Sequence, residues 1–206
     1  SAAAIATPSN AGENNKGFYV GLGYGASTLE SDNVDWKDAT SSGNVGFDDE
    51  SLGLEVGIGY DFGNNFRTEF NYGSASYDID NLFTETLGDT ASTGDVDMET
   101  FMVSVFYDID LGDRLERITP YIGAGFGTAN FDISDIKQSG TVVTNGGDAS
   151  ASVYEYTFGV SYATSPKLDI FGEASTRHFE DFDGISSTDY TDGKTLETRI
   201  GARYRF

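Results

Sequence analysis

Eight stretches of this chain alternate large apolar residues with small or polar ones at a period of two. They lie near 17–27, 52–62, 66–75, 100–109, 119–128, 153–163, 168–178 and 195–206. A period of two is the mark of a β-strand with two unlike faces, and eight repeats of it make the chain all-β. In the second stretch Leu52, Leu54, Val56, Ile58, Tyr60 and Phe62 interleave with Gly53, Glu55, Gly57, Gly59 and Asp61. The connections follow a rhythm too. They are brief after the second, fourth and sixth stretches, and long over 28–51, 76–99, 129–152 and 179–194. Gly63-Asn64-Asn65 suits a tight hairpin. An even-stranded antiparallel barrel with short turns at one rim and long loops at the other produces this pattern, whereas a sandwich has no reason to gather its long loops at one end. The last stretch, Arg199 to Phe206, sets Ile200, Ala202, Tyr204 and Phe206 on one face and reads as the strand that closes the barrel.

Composition narrows the partners. Lys and Arg number 12 against 34 Asp and Glu, a formal net charge of -22. Such a surface repels polynucleotides and excludes nucleic-acid binding. Cysteine is absent, so no disulfide or thiolate site forms. The 15 Phe and 12 Tyr argue for a packed fold despite the charge. No stretch reaches the roughly 18 apolar residues of a membrane helix, but strands closed into a barrel also satisfy every backbone group in lipid. Ser1-Ala2-Ala3-Ala4-Ile5-Ala6 lacks the basic and apolar regions of a signal peptide. Residues 1–15 are therefore expected to form a flexible tail and 16–206 the barrel.

Alternation alone does not say which face points inward. The face opposite the large apolar residues is built from Gly, Ser and Thr plus a few charges, which suits a narrow lumen better than a solvated exterior. Glu55, Glu69, Glu155, Glu173 and Glu197 fall on it, as do Arg67, Arg177, Arg199, Arg203 and Arg205. These are expected to pair across the lumen and fill it with a polar plug. The apolar face then meets lipid. Tyr60, Phe62, Phe66, Tyr107, Tyr162, Tyr204 and Phe206 would form an interfacial girdle near the short-turn rim.

Three segments carry a family likeness: Gly17-Phe18-Tyr19-Val20-Gly21-Leu22-Gly23-Tyr24-Gly25, Thr119-Pro120-Tyr121-Ile122-Gly123-Ala124-Gly125-Phe126-Gly127, and the ending with Gly201, Tyr204 and Phe206. Together they resemble the small outer-membrane barrels related to the OmpA transmembrane domain, OmpX and the opacity-type surface proteins. The resemblance implies a closed, antiparallel, up-and-down transmembrane β-barrel of eight strands in a Gram-negative outer membrane. It also implies a periplasmic amino-terminus, short periplasmic turns and long extracellular loops. Gly201, Tyr204 and Phe206 resemble the membrane-insertion signal read by the barrel-assembly machinery. The implied function is a non-enzymatic surface module in adhesion or envelope integrity. Its partners would be outer-membrane lipid and lipopolysaccharide, and a surface protein or host cell at the loops. A narrow channel for small solutes or ions is the alternative, and a lipid A-modifying hydrolase the third reading.

The remaining candidates are weaker. Asp78 and Asp80, and Asp181 and Asp183 before Gly184, are carboxylates spaced by two, the oxygen donors that Ca2+ or Mg2+ prefers. Neither pair completes a binding-loop signature. The plain reading is a solvated acidic rim; a middle reading has Ca2+ or Mg2+ bridging that rim diffusely to lipopolysaccharide phosphates, and no cofactor beyond such weak Ca2+ or Mg2+ is expected. His178, the single histidine, shares a parity with Thr176 and Glu180. A hydroxyl, an imidazole and a carboxylate on one side are the parts of an acyl-ester hydrolase. Lipid A deacylases, however, use serine where this chain has Thr176, and the plain reading is an interfacial ring. Trp36 is either a partner anchor or packed on its own loop.

Overall fold

The computed structural model describes residues 16–29, 33–37, 42–47, 51–84, 88–112, 115, 117–180, 182–183, 189–190 and 193–206. Within them the chain forms β1 (Gly17–Leu29), β2 (Asn33–Lys37), β3 (Ser42–Phe47), β4 (Ser51–Asp61), β5 (Phe66–Thr84), β6 (Gly88–Asp108) and β7 (Ile118–Ile133). It continues with β8 (Ile136–Gln138), β9 (Thr141–Thr144), β10 (Gly147–Ser165), β11 (Leu168–Phe179), β12 (Phe182–Asp183), β13 (Asp189–Tyr190) and β14 (Gly193–Arg205). Eight of these close a barrel. Strands β1, β4, β5, β6, β7, β10 and β11 each pair antiparallel with the next, and β14 bridges β11 and β1. The seam is complete: Phe206 N donates to Phe18 O at 3.1 Å. No barrel edge is left unpaired, as a membrane-spanning sheet requires.

Every one of the eight expected strands is present, within a few residues at the short-turn ends. At the other ends the difference is large. β5 runs on to Thr84 and β6 starts at Gly88, so most of the expected long loop over 76–99 is a protruding hairpin. β7 and β10 likewise extend through much of 129–152, with β8 and β9 as a small hairpin between them. The sequence already held the reason. Tyr77, Ile79, Val96 and Met98 continue the inward parity of their strands, and burying them pays for strand instead of loop. The expected tail, 1–15, lies outside the described residues.

The short turns are built by local chemistry. Gly63 (φ 73°) and Asn65 (φ 70°) adopt the left-handed backbone that reverses the chain between β4 and β5. Asp61 Oδ1 accepts from Gly63 N at 2.9 Å, and Asn65 Nδ2 donates to Asp108 O at 3.0 Å. At the turn after β10, Ser165 Oγ accepts from the backbone N–H groups of Lys167 and Leu168.

The question of inside and outside has a clear answer. Leu54, Ile122 and Phe158 are 49%, 51% and 58% exposed and point away from the axis. The band they belong to is continuous around the barrel. The 11 residues of β4 rise roughly 36 Å along the strand and, tilted about 45°, roughly 25 Å along the barrel axis. That is the height of an outer-membrane hydrocarbon layer, and a band this apolar needs an apolar solvent. At its short-turn edge the rings touch in pairs: Phe18–Tyr60 at 4.9 Å, Tyr60–Phe62 at 5.2 Å, Phe66–Tyr107 at 5.0 Å and Tyr204–Phe206 at 5.6 Å. This is the expected girdle.

Candidate functional site: a layered lumen

Inward-facing side chains fill the barrel in three layers. The first lies at the short-turn rim. Arg205 donates to Asp61 at 2.9 Å and to Asp169 at 2.7 Å. Arg67, fully buried, reaches Asp108 at 3.1 Å and Tyr19 Oη at 3.2 Å, with Glu69 at 3.6 Å. Its guanidinium lies 3.9 Å from the Phe106 ring centre and 4.6 Å from that of Tyr121. Arg203 sits among the rings of Phe171, Tyr19 and Tyr121 at 5.1, 5.2 and 5.8 Å. Here cation–π contacts replace part of the lost hydration. Two glycines make room for the tyrosines. A Cβ on Gly59 would stand 2.2 Å from Tyr19 Cζ, and one on Gly159 2.3 Å from Tyr121 Cζ.

The middle layer is ionic. Arg177 on β11 donates to Glu55 on β4 at 2.7 Å, Glu155 on β10 at 2.7 Å and Glu197 on β14 at 2.8 Å. Arg199 on β14 pairs with Glu55, with Glu173 at 2.9 Å and Glu197 at 3.3 Å, and lies 3.7 Å from Glu155. Tyr121 Oη donates to Glu173 at 2.6 Å, Thr157 to Glu155 at 3.2 Å and Ser27 to Glu197 at 3.5 Å. Four carboxylates thus share two guanidiniums. In a lumen walled by sheet and lipid these charges exist only because they satisfy one another.

Above them the lumen turns apolar, which the sequence reading did not anticipate. Ala75, Tyr77, Met98, Met102, Ala129, Ala151, Val153 and Phe179 pack into one buried cluster, and Ile79, Val96 and Ile136 form another beyond it. The polar plug is therefore only the lower part of a filled interior. The signal was available in Met102 and Val153, which share the parity of Ser104 and Glu155. Small residues elsewhere on that face masked it.

Of the expected lumen charges, the structure joins Glu55, Glu155, Glu173, Arg177 and Arg199, with Glu197, in one cluster. It places Arg67 with Glu69 in the rim layer and gives Arg203 aromatic neighbours in place of a carboxylate. Gly201 lies inward beside the Phe171 ring, while Tyr204 and Phe206 face outward. Asp78 is exposed on β5, directly across from Asp95. Asp80 and Asp183 belong to β5 and β12, but their side chains, like all of Asp181, lie outside the described residues. Trp36 lies on β2, paired with Gly43 and Tyr190. His178 faces outward with its ring 6.3 Å from Tyr156. Thr176 Oγ1 is buried and has no hydrogen-bond partner, so the imidazole does not stand as its base. Among the described residues no group of three His, Cys, Asp or Glu is arranged to hold a metal ion.

A second array lies on the outer surface beyond the apolar band. Asp97 on β6, Asp132 on β7 and Asp148 on β10 stand directly opposite one another, all exposed. Asp78 opposite Asp95 adds a second pair of facing carboxylates on β5 and β6.

Comparison with known proteins agrees with this architecture. The structure superposes on Neisserial surface protein A (NspA) with a TM-score of 0.61 at 16% identity, covering 92% of this chain and 97% of that one. For OprG of Pseudomonas aeruginosa the TM-score is 0.58 at 13% identity, with 96% and 99% covered. For the outer membrane protease OmpT of Escherichia coli it is 0.56 at 8%, with 98% and 99% covered. At these identities the likeness is one of fold. No curated protein sequence matches the chain. The model of the outer membrane protein beta-barrel domain matches residues 1–206, and the chain belongs to that family of outer-membrane barrels.

Proposed function

We propose that this protein is a closed, non-enzymatic barrel of the outer membrane that displays an acidic surface to its surroundings, in adhesion or in the integrity of the envelope. The observation that carries this reading is the contrast between its two ends. The lumen is filled by ionic and apolar layers in succession, whereas β5, β6, β7 and β10 run well past the lipid band and carry exposed carboxylates. The protruding strands are the extracellular side in this reading, and the short turns and amino-terminus are periplasmic. A narrow channel is disfavoured by the Met98–Met102–Val153–Phe179 layer, which fills the lumen above the ion pairs with apolar side chains. A hydrolase is disfavoured by the unpartnered Thr176 hydroxyl.

The anionic face has a physical consequence. Like charges placed directly across strands destabilise a sheet, so divalent cations are expected to gather diffusely over Asp97, Asp132 and Asp148. There Ca2+ or Mg2+ would bridge the barrel to lipopolysaccharide phosphates. At the other end, Gly201, Tyr204 and Phe206 would serve as the insertion signal for the barrel-assembly machinery.

Two measurements test the reading. In planar bilayers the purified barrel gives no steady single-channel current; a reproducible open level would refute closure. On intact cells, a thiol reagent that does not cross the membrane labels S139C, in the turn between β8 and β9, and not N64C. The reverse pattern would invert the orientation.

A further inference from the structure

Among the described residues, the eight barrel strands turn only two basic side chains outward. They are His178 on β11 and Lys194 on β14, which stand directly opposite each other in the register. Arg67, Arg177, Arg199 and Arg203 are buried in the lumen, and Arg205 pairs there with Asp61 and Asp169. In a chain of net charge -22 this pairing is unlike the rest of the outer wall. The outward residues of β11 run from Leu168 at the short-turn end to His178 at the other, so the two bases mark the upper limit of the apolar band. Beneath them the wall is grooved. The outward residues of β11 there are Thr176, Ala174 and Gly172, all small. Tyr156, Phe158 and Val160 of β10 stand directly opposite them on one side. On the other side Leu196 and Ile200 of β14 stand opposite Thr176 and Gly172. These flanks are high: Tyr156 is 59% exposed and Ile200 73%. A Cβ on Gly172 would meet only Arg199 O, at 4.0 Å, so the floor of the groove is open outward. From Gly172 to Thr176 it runs roughly 13 Å along the strand.

We infer that this face of β10, β11 and β14 binds one phosphorylated, acylated glycolipid of the extracellular leaflet, with an acyl chain in the β11 groove and a phosphate between His178 and Lys194. The groove opens on hydrocarbon, so a lipid chain is what it can take up. An imidazole N–H and an ammonium are both donors for phosphate oxygens, and such charge-assisted bonds are the strong ones. The Tyr156 ring, 6.3 Å from that of His178, walls the headgroup end. Glu180, the carboxylate of the same face, is engaged by the Tyr154 hydroxyl. The Asp97–Asp132–Asp148 row lies on β6, β7 and β10 and reaches a phosphate only through a metal ion, whereas the β11–β14 site needs none.

The site is tested by lipid retention on the detergent-folded barrel, read by native mass spectrometry in EDTA so that metal bridging is silent. The probes are lipid A, the same lipid A stripped of its phosphates, and phosphatidylglycerol. The barrel should hold a single lipid A and little of the other two. The double variant H178Q/K194Q should weaken that binding by about tenfold or more, through the loss of two charge-assisted bonds. G172L should weaken it likewise, because its side chain fills the groove and leaves the lumen untouched. A124L, at a small outward position of β7 with no base above it, should leave binding unchanged. Faster migration in unboiled gels shows that each variant is folded. Undiminished retention in either H178Q/K194Q or G172L, or equal retention with and without the phosphates, would overturn the site. Equal retention of phosphatidylglycerol would overturn the glycolipid. The inference rests on the protruding strands being extracellular, a reading whose own failure would appear separately, as labelling of N64C on intact cells.

Discussion

Replacing Arg177 with methionine removes a buried cation of similar reach and leaves its three carboxylate partners in place. The bonds lost are those at 2.7, 2.7 and 2.8 Å to Glu55, Glu155 and Glu197. Charge-assisted hydrogen bonds contribute about 1.5–3 kcal/mol each, a gross loss of roughly 5–9 kcal/mol. Part is recovered. Arg199 already lies 3.3 Å from Glu197 and 3.7 Å from Glu155 and can lean toward them. A stranded carboxylate can also take up a proton, at about 1.4 kcal/mol for each pH unit between its proton affinity and the solution. The net cost should be about 3–5 kcal/mol, the range for breaking a buried pair by removing one partner. Reversible urea unfolding of the barrel in lipid vesicles measures it. Adding E155Q to R177M should restore at least about 1 kcal/mol, because it deletes one of the charges left unpaired. A cost under about 1 kcal/mol for R177M, or no rescue by E155Q, would refute the reasoning that this layer is held by mutual neutralisation.

Other expectations follow from local geometry. G159A pushes a methyl group against the Tyr121 ring and should destabilise by about 1–3 kcal/mol in the same assay, whereas G21A, whose Cβ meets nothing within 4 Å, should cost under about 1 kcal/mol. Deleting Phe206 should lower the amount of folded barrel recovered from cell envelopes severalfold. The truncated chain should still refold in detergent, since the seam loses only the Phe206 N to Phe18 O bond; equal recovery from cells would remove the terminal residue from the insertion signal. D132N, which removes the central charge of the Asp97–Asp132–Asp148 row, should stabilise by about 0.2–1 kcal/mol without divalent ions and by less with magnesium. Identical gains in both conditions would argue against ion gathering on this face.

Strand number, pairing order and facing were legible in the sequence because a period of two survives wherever one face meets lipid and the other a narrow lumen. A slip of one residue would send Leu54 inward and Glu55 into acyl chains, so the register is written into the alternation itself. The partners of Arg177 were legible only as a set. Matching three carboxylates to one guanidinium needs the stagger that brings Glu55 level with Glu155, and stagger leaves no local mark on the sequence. The protruding strands were missed because Asp78, Asp95 and Asp97 read as loop chemistry, while the inward Tyr77, Ile79 and Val96 beside them were the better guide. The apolar upper layer was missed for a related reason: Met98 and Met102 lie far from Val153 and Phe179 in the chain, and only the folding of the barrel brings them together.

One set of alternating residues meets hydrocarbon and the other does not. Fluorescence quenching by lipids brominated along their acyl chains tests it most directly. Trp36 is the single tryptophan, so W36F provides a silent background for single tryptophans at 122, 126, 158 or 121. I122W, F126W and F158W should be strongly quenched, while Y121W, one residue from Ile122 and fully buried, should be nearly unaffected. Equal quenching at 121 and 122, or protection at 126 and 158, would contradict the account.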